Sequence, residues 1–476
     1  MTVRVGKAAE APEFPDAAKA LVSNTQLRHN VRHATDVIRG KRARVVAEMP
    51  DWEELRATAH ETKEHTLQYL ESYLVQFEEA CTRAGGKVHW ARDADEANRI
   101  IVDLIQYHNE KEVIKVKTMT SDEIQLNQAL EDSGITPHET DLADLIVQLG
   151  EDQPSHIVVP ALHRNKMEIR EIFLKKMKLK ELGEEAEDLA AAARTYLREK
   201  FLRVKTAISG ANFLVAETGA VCVVESEGNG RMCLSLPQVL ITIAGIEKVV
   251  PTFRDLEVFL QLLPRSATGE RMNPYNSIWT GITSGDGPQE FHVVLLDNGR
   301  TGVLADPESR QTLDCIRCGA CLNACPVYRQ TGGHAYGSVY AGPIGAIVTP
   351  QLQSMQHSLS LPYASSLCGA CYEVCPVKIN IPEILIHLRS KVVEGRGAPL
   401  SERMAMKAAA QSLAGPARFS LAQKLARIGQ WPFERDGMLR DLPGMLAGWT
   451  DVRDLPAIPK ESFREWWRKR EKKESA

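Results

Sequence analysis

Seven of the ten cysteines lie between Cys315 and Cys375, and their spacing restricts that part of the chain to a metal-cluster fold. The first run, Cys315-x2-Cys318-x2-Cys321-x3-Cys325-Pro326, matches the bacterial ferredoxin run at every spacing, including the proline. Three thiolates on one tight loop can face a single iron-sulfur cube, whereas the fourth, beyond a helical turn and a proline, points toward a second cluster. Structural zinc is the rival reading. Zinc sites pair two-cysteine knuckles, however, and spacings of 2, 2 and 3 leave a supernumerary ligand. Cys318-Gly319-Ala320-Cys321 and Cys325-Pro326-Val327 recur 50 positions on as Cys368-Gly369-Ala370-Cys371 and Cys375-Pro376-Val377. The segment is therefore an internal duplication. Cross-ligation in such modules assigns Cys315, Cys318, Cys321 and Cys375 to one cluster and leaves Cys325, Cys368 and Cys371 for the other. The position matching Cys315 is Ser365, so the second set has three thiolates. A three-iron cluster, a four-iron cluster with oxygen or water on one iron, and a cluster completed by another residue all remain open. A plain electron relay is the expected role, ahead of ligand binding at an open iron.

The rest of the chain narrows the function further. Its 476 residues predict about three domains. Hydrophobic residues at 43% and charged residues at 25% exclude a disordered or fibrous chain. Lys and Arg number 58 against 62 Asp and Glu, which argues against a nucleic-acid partner. The most apolar stretch, Val239 to Ile246, is too short for a transmembrane segment, and Met1 to Glu10 lacks the apolar core of a secretory signal. A cytoplasmic location is expected, with peripheral attachment at the inner membrane as the variant. No G-x-G-x-x-G follows a predicted strand and no Walker loop occurs. The chain thus shows no flavin or nicotinamide fingerprint. Clusters pass single electrons while most organic substrates release two, so a separate donor is expected in a partner or in the domain that precedes the cysteines.

That domain reads as α/β. Residues 14–50 predict a basic, solvated helical arm carrying Arg28, Arg32, Arg39, Lys41, Arg42 and Arg44, capped near Thr25. Leu67, Leu70, Leu74, Phe77 and Cys81 form one apolar helix face closed by Gly85-Gly86, which makes Cys81 a core residue. Strands are predicted at Val88 to Trp90, Val113 to Val116, Ile135 to Thr136 and Ile157 to Val159. Helices are predicted over 94–108, 121–133, 141–149 and 165–177. This alternation implies a parallel sheet covered by helices. A helix from Glu184 to Arg203 leads to strands at Asn212 to Glu217, Val221 to Ser226 and Arg231 to Leu236, the last two joined by a turn at Glu227-Gly228-Asn229-Gly230. Cys222 and Cys233 read as buried thiols on these strands. Thr120 and Glu123 have capping-box spacing at a helix start, where an ordinary cap is expected ahead of an anion site. Glu217-Thr218-Gly219 reads as a strand-end turn ahead of a cleft carboxylate, and His156 and His163 as structural histidines. After Ile384 the chain turns helical, interrupted at Gly415-Pro416 and Pro432. Its end, Phe463 to Lys473, mixes aromatic and basic residues and reads equally as a docking tail or a loosely packed terminus.

Lys117-Thr-Met-Thr-Ser, Ser155-His-Ile-Val-Val-Pro, Ala216-Glu-Thr-Gly, Glu227-Gly-Asn-Gly-Arg-Met, Gly245-Ile-Glu-Lys-Val-Val-Pro-Thr-Phe, Arg265-Ser-Ala-Thr-Gly, Leu295-Leu-Asp-Asn-Gly-Arg and the seven-cysteine module resemble the lactate utilization protein B family. The resemblance runs from the Arg-rich start to Ser462-Phe-Arg-Glu-Trp. It implies an α/β domain similar to the sugar-isomerase and CoA-transferase-like group, a two-cluster ferredoxin module and a helical C-terminal domain. The corresponding division is a helical arm at 1–50, the α/β domain at 51–304, the cluster module at 305–390 and the helical domain at 391–476. The family's ligands fall on Cys315, Cys318, Cys321 and Cys375 and on Cys325, Cys368 and Cys371. Its three-thiolate second set is shared, so Ser365 is no departure. The resemblance also implies an electron carrier in the oxidation of L-lactate to pyruvate, working with two companion lactate-utilization proteins and an electron acceptor the sequence does not name. The alternative is a catalytic subunit whose α/β domain binds the 2-hydroxy acid directly; a third reading is an iron-sulfur scaffold or sensor.

Two clusters on seven thiolates predict about seven or eight irons per chain after anaerobic purification. Metal analysis checks this. Zinc as the main metal, without charge-transfer absorption, would contradict it.

Overall fold

The inner strands of the central sheet are buried on both faces, which only helices packed above and below can produce. A computed structural model describes residues 12–353, 355–395, 399–451 and 453–474. Its strands are β1 (Lys87–Ala91), β2 (Glu112–Lys115), β3 (Thr136–Glu139), β4 (Thr206–Ser209), β5 (Phe213–Val215), β6 (Ala220–Glu225), β7 (Val239–Gly245), β8 (Val249–Val250), β9 (Tyr275–Trp279) and β10 (Glu290–Leu296). Six form the main sheet in the order β1-β10-β7-β4-β2-β3, every pairing parallel. The stretch read above as too short for a membrane is β7, buried along its whole length. Among the described residues no helix is long and apolar enough to cross a membrane.

Period-two alternation splits the sheet's side chains between two cores. Ile241, Ile243, Val294 and Leu296 meet Ala97, Ile101 and Ile105 of the Ala94–Tyr107 helix on one face. Leu240, Ala244, Phe291, Val293 and Leu295 point to the other, where the same apolar cluster continues into Cys318, Cys321, Cys325, Cys371 and Cys375. The cysteine segment therefore shares the sheet's core. A second sheet, β8-β5-β6-β9, lies in the same cluster of contacts, with β5-β6 and β6-β9 antiparallel.

Four expectations are corrected. Ile157 to Val159 is a bend, because the His156 Nδ1 accepts the N–H groups of Val158 and Val159, each at 3.0 Å, which a strand would need for its ladder. Arg231 to Ser235 lies in a helix, Asn229–Ser235, with Leu236 as its C-cap. Gly228 turns left-handed there (φ 84°), and the Glu225 carboxylate accepts the N–H groups of Glu227, Gly228 and Arg231. Strand β6 pairs instead with the distant β9. The helix expected over 121–133 is two, Met119–Glu123 and Leu126–Asp132, parted by Gln125 at φ 55°. Its cap is Thr118, whose Oγ1 accepts from Thr120 N at 3.3 Å, since Glu123 is drawn elsewhere. Finally, the basic arm is not simply solvated. Leu27 and Val31 of the Thr25–Ala47 helix are buried, and the Arg42 guanidinium donates to Val374 O at 3.1 Å. The helices Phe14–Val22 and Thr25–Ala47 pack on the cysteine segment.

Residues up to Lys391 form one compact unit and those from Val392 another. The second contains the helices Leu400–Leu413, Pro416–Gly429 and Phe463–Glu474, and a small antiparallel sheet of Glu434–Arg435, Met438–Leu439 and Leu455–Pro456. Pro416 stands at the first turn of its helix, where its missing N–H costs nothing. Phe463, Trp466 and Trp467 gather with ring centroids 5.7–6.1 Å apart.

Candidate functional site

Each half of the duplicated segment builds the same loop. In the first, Arg317 takes φ 61° and Gly319 φ 74° before the Ala320–Ala324 helix; in the second, Leu367 takes φ 54° and Gly369 φ 83° before Ala370–Glu373. Left-handed turns at both positions wrap the backbone around the cysteines. N–H groups then point at sulfur: Arg317 N donates to Cys315 Sγ at 3.4 Å, Tyr328 N to Cys325 Sγ at 3.5 Å and Ile379 N to Cys375 Sγ at 3.4 Å.

The fold collects the thiols into two sets. Cys315, Cys318, Cys321 and Cys375 line one small cavity, whose other walls include Ile316, Ile344, Val377 and Ile379. Burial pushes the Cys318 thiol up, and neighbouring Cys375 and Cys315 push it further. Cys375 is raised to about 11 by burial, with Cys315 adding to it. In the other set, burial raises Cys371 to about 12, and Cys325 and Cys368 raise it further. No disulfide joins any of these cysteines. Crowded, largely buried sulfurs that receive backbone N–H groups suit iron, which takes thiolates as ligands, and both sets fit an iron-sulfur group. The remaining three cysteines lie apart. Burial raises Cys81 to about 11 and Cys222 and Cys233 to about 12, as inert core thiols. His156, buried and depressed to about 3 by desolvation, bonds Asn323 at 3.2 Å, and His163 bonds Asp152 at 2.9 Å. Glu217 accepts from Phe253 N at 3.1 Å beside the β5-β6 turn.

Sequence reasoning passed over a buried charge network between the sheet and the first loop. Arg300 donates to both oxygens of Glu123 at 2.9 Å and to Glu247 Oε2 at 2.5 Å. Glu247 Oε1 lies 3.5 Å from Arg317 Nη2, and Arg317 stacks over Tyr340 with 4.8 Å to the ring centroid. Tyr340 returns to Glu123 at 2.5 Å. Burial would raise the Glu247 carboxyl, but Arg300, Lys248 and Arg317 outweigh it and hold the group at about 2. The available signal was charge inside apolar runs, at Ile246-Glu247-Lys248-Val249 and Leu296-Asp297-Asn298-Gly299-Arg300.

A cleft partly open to solvent adjoins this network past the ends of β2 and β4. Lys117, Thr118, Asn212, Lys248 and Arg317 line it. Lys248 is 8% exposed, and among the described residues no hydrogen bond or ion pair engages its ammonium. Arg317 Nη1 is likewise buried without a partner there.

Comparison with known proteins fits this geometry. Residues 74–296 match the LUD domain, 311–379 the 4Fe-4S dicluster domain, and 388–472 the C-terminal domain of lactate utilisation protein B. The chain is 43% identical to lactate utilization protein B of Bacillus velezensis, over 99% of each. It is 44% identical to that of Oceanobacillus iheyensis and 42% to that of Bacillus subtilis, in both cases over 100% of this chain and 99% of the relative. A crystal structure of a duf162 family protein from Deinococcus radiodurans aligns with a TM-score of 0.26 at 14% identity, covering 48% of this chain and 98% of that one.

Replacing Arg300 by Leu leaves Glu123 and Glu247 buried without their cation, and should cost about 3–5 kcal/mol. The pH slope supplies a second readout. In the native protein Glu247 sits below its unfolded value, so its contribution is present above the ordinary carboxylate range and is lost as pH falls toward about 2. In the variant Glu123 loses its ion-pair partner and burial pushes its carboxyl up, so stability should instead improve on acidification through that range. Urea unfolding against pH reads both; an unchanged midpoint would remove the network from the account.

Proposed function

The chain belongs to the lactate utilization protein B family, and on that premise we propose that it is the electron relay of an L-lactate-oxidising system. It carries iron-sulfur chemistry in lactate utilization. The finer reading is that Cys315, Cys318, Cys321 and Cys375 hold one cluster and Cys325, Cys368 and Cys371 a second. The observation that carries it is the grouping of the thiols: Cys375 stands in the cavity of the first run although its chain neighbours belong to the second. The clusters supply single-electron transfer. The protein's own groups set its terms. Ile316, Ile344 and Val377 exclude water from the first set, N–H groups on Cys315 and Cys375 stabilise sulfur charge, and Arg56 and Arg42 place cations close by. Arg56 Nε donates to Cys375 O at 2.9 Å. Positive charge and N–H donors favour the electron-rich form and so raise the potential.

Lactate gives up two electrons, and the sequence shows no site for a flavin or nicotinamide. We place that step on one of two companion lactate-utilization proteins, from which electrons cross this chain to an acceptor. A second reading keeps the 2-hydroxy acid on the α/β domain. The Lys248 ammonium and the Nη1 of Arg317, neither engaged by a hydrogen bond among the described residues, face the cleft beside the first cysteine loop and suit a carboxylate.

L-lactate and an artificial acceptor, supplied to the purified holoprotein, separate the readings. The isolated chain should reduce no dye, and its clusters should become reduced once the companion proteins are added. Appreciable lactate-dependent dye reduction by the chain alone would overturn the relay. Lactate that binds without dye reduction leaves the relay standing.

A further inference from the structure

We propose that Ser365 Oγ is the fourth protein ligand of the second cluster. The inference rests on the ligand reading above and extends it to the one position where the duplication replaces sulfur by oxygen.

The two loops superpose in their bonding as well as in their sequence. Arg317 N donates to Cys315 Sγ at 3.4 Å; its counterpart Leu367 N donates to Ser365 Oγ at 3.1 Å. The intervening backbone repeats the same left-handed pair, Arg317 and Gly319 in one loop and Leu367 and Gly369 in the other. Left-handed φ at a leucine is unfavourable, so the second loop keeps the ligand-wrapping conformation at a cost that serine alone does not explain. Ser365 thus occupies the place of Cys315 in hydrogen bonding, backbone path and distance along the chain from the next two cysteines. Cys315 lines the cavity of its set with Cys318 and Cys321; by the same geometry Ser365 belongs with Cys368 and Cys371.

The segment is also held in place. Arg389 donates to Pro362 O at 2.8 Å and to Ser365 O at 3.3 Å, and its guanidinium lies 5.0 Å from the Tyr363 ring centroid. On ligation an Fe–O bond forms at the iron the three thiolates leave with an open position. The hydroxyl proton passes to solvent from a half-buried side chain, and no electron moves.

The experiment uses anaerobically purified full-length protein loaded with isotopically enriched iron, read by Mössbauer and electron paramagnetic resonance spectroscopy together with iron content. The native protein should show one iron site with oxygen ligation. Ser365→Ala should lose that site and about one iron per chain, leaving a three-iron signal after oxidation while the four-thiolate cluster is unchanged. Ser365→Cys should restore four irons with all-sulfur ligation, which also shows that the loop still folds. Ser366→Ala, the adjacent hydroxyl, should behave as the native protein. An unchanged oxygen-ligated site and iron content in Ser365→Ala would overturn the proposal, as would a native protein without an oxygen-ligated iron. Loss confined to the four-thiolate cluster would instead fault the ligand sets on which the proposal rests.

Discussion

Arg300 is the charge on which the arrangement of the first unit turns. It is buried, and its guanidinium binds Glu123 at the end of the short Met119–Glu123 helix after β2 and Glu247 from the turn after β7. Glu247 reaches on to Arg317, inside the loop between Cys315 and Cys318. A buried ion is costly unless its partners are well placed, and here each charge has them, so the register between sheet and cysteine loop is fixed by polar geometry as well as apolar packing. Leu367 stands where Arg317 would be in the second loop, so the loop conformation does not require arginine. The arginine belongs to the contact with the sheet.

This contact explains why the cysteine segment is not an independent module. One face of the parallel sheet and five of the seven cysteines lie in a single apolar cluster. The Thr25–Ala47 helix and Arg56 close the other side, with Arg42 and Arg56 bonded to backbone carbonyls of the second run. A thiolate cluster concentrates negative charge, and these arginines bring compensating charge from parts of the chain that precede it by some 300 residues (|i−j| = 332 and 319). Arg42 and Arg56 thus tie the start of the chain to the cysteine segment rather than to solvent.

The cysteine runs were legible because metal ligation imposes spacing directly on sequence, and the duplication of 50 positions made the second run unmistakable. The βαβ alternation was legible where strand and helix are local. It failed where one side chain redirected the backbone: His156 Nδ1 removed a strand at Ile157, and Glu225 converted the expected strand at Arg231 into a helix. The pairing of β6 with β9 is set by packing between residues far apart, which periodicity does not report. The charge network was hidden for the same reason, since Glu123, Glu247, Arg300 and Arg317 meet only in three dimensions. Cys81 was legible as a core residue because its apolar helix face is local, whereas His156 was read beside a strand that does not form.

On the proposed ligand sets the two cysteine runs exchange their last ligand, so that neither half of the duplication would hold a cluster alone. Redox spectroscopy of Cys375→Ala and Cys325→Ala tests it most directly, with unfolding of the α/β domain as the control for folding. Loss of Cys375 should abolish the signal of the four-thiolate cluster formed with Cys315, Cys318 and Cys321, while loss of Cys325 should disturb only the cluster of Cys368 and Cys371. If Cys375→Ala spares the first cluster and damages only the second, the runs bind independently and the account is contradicted.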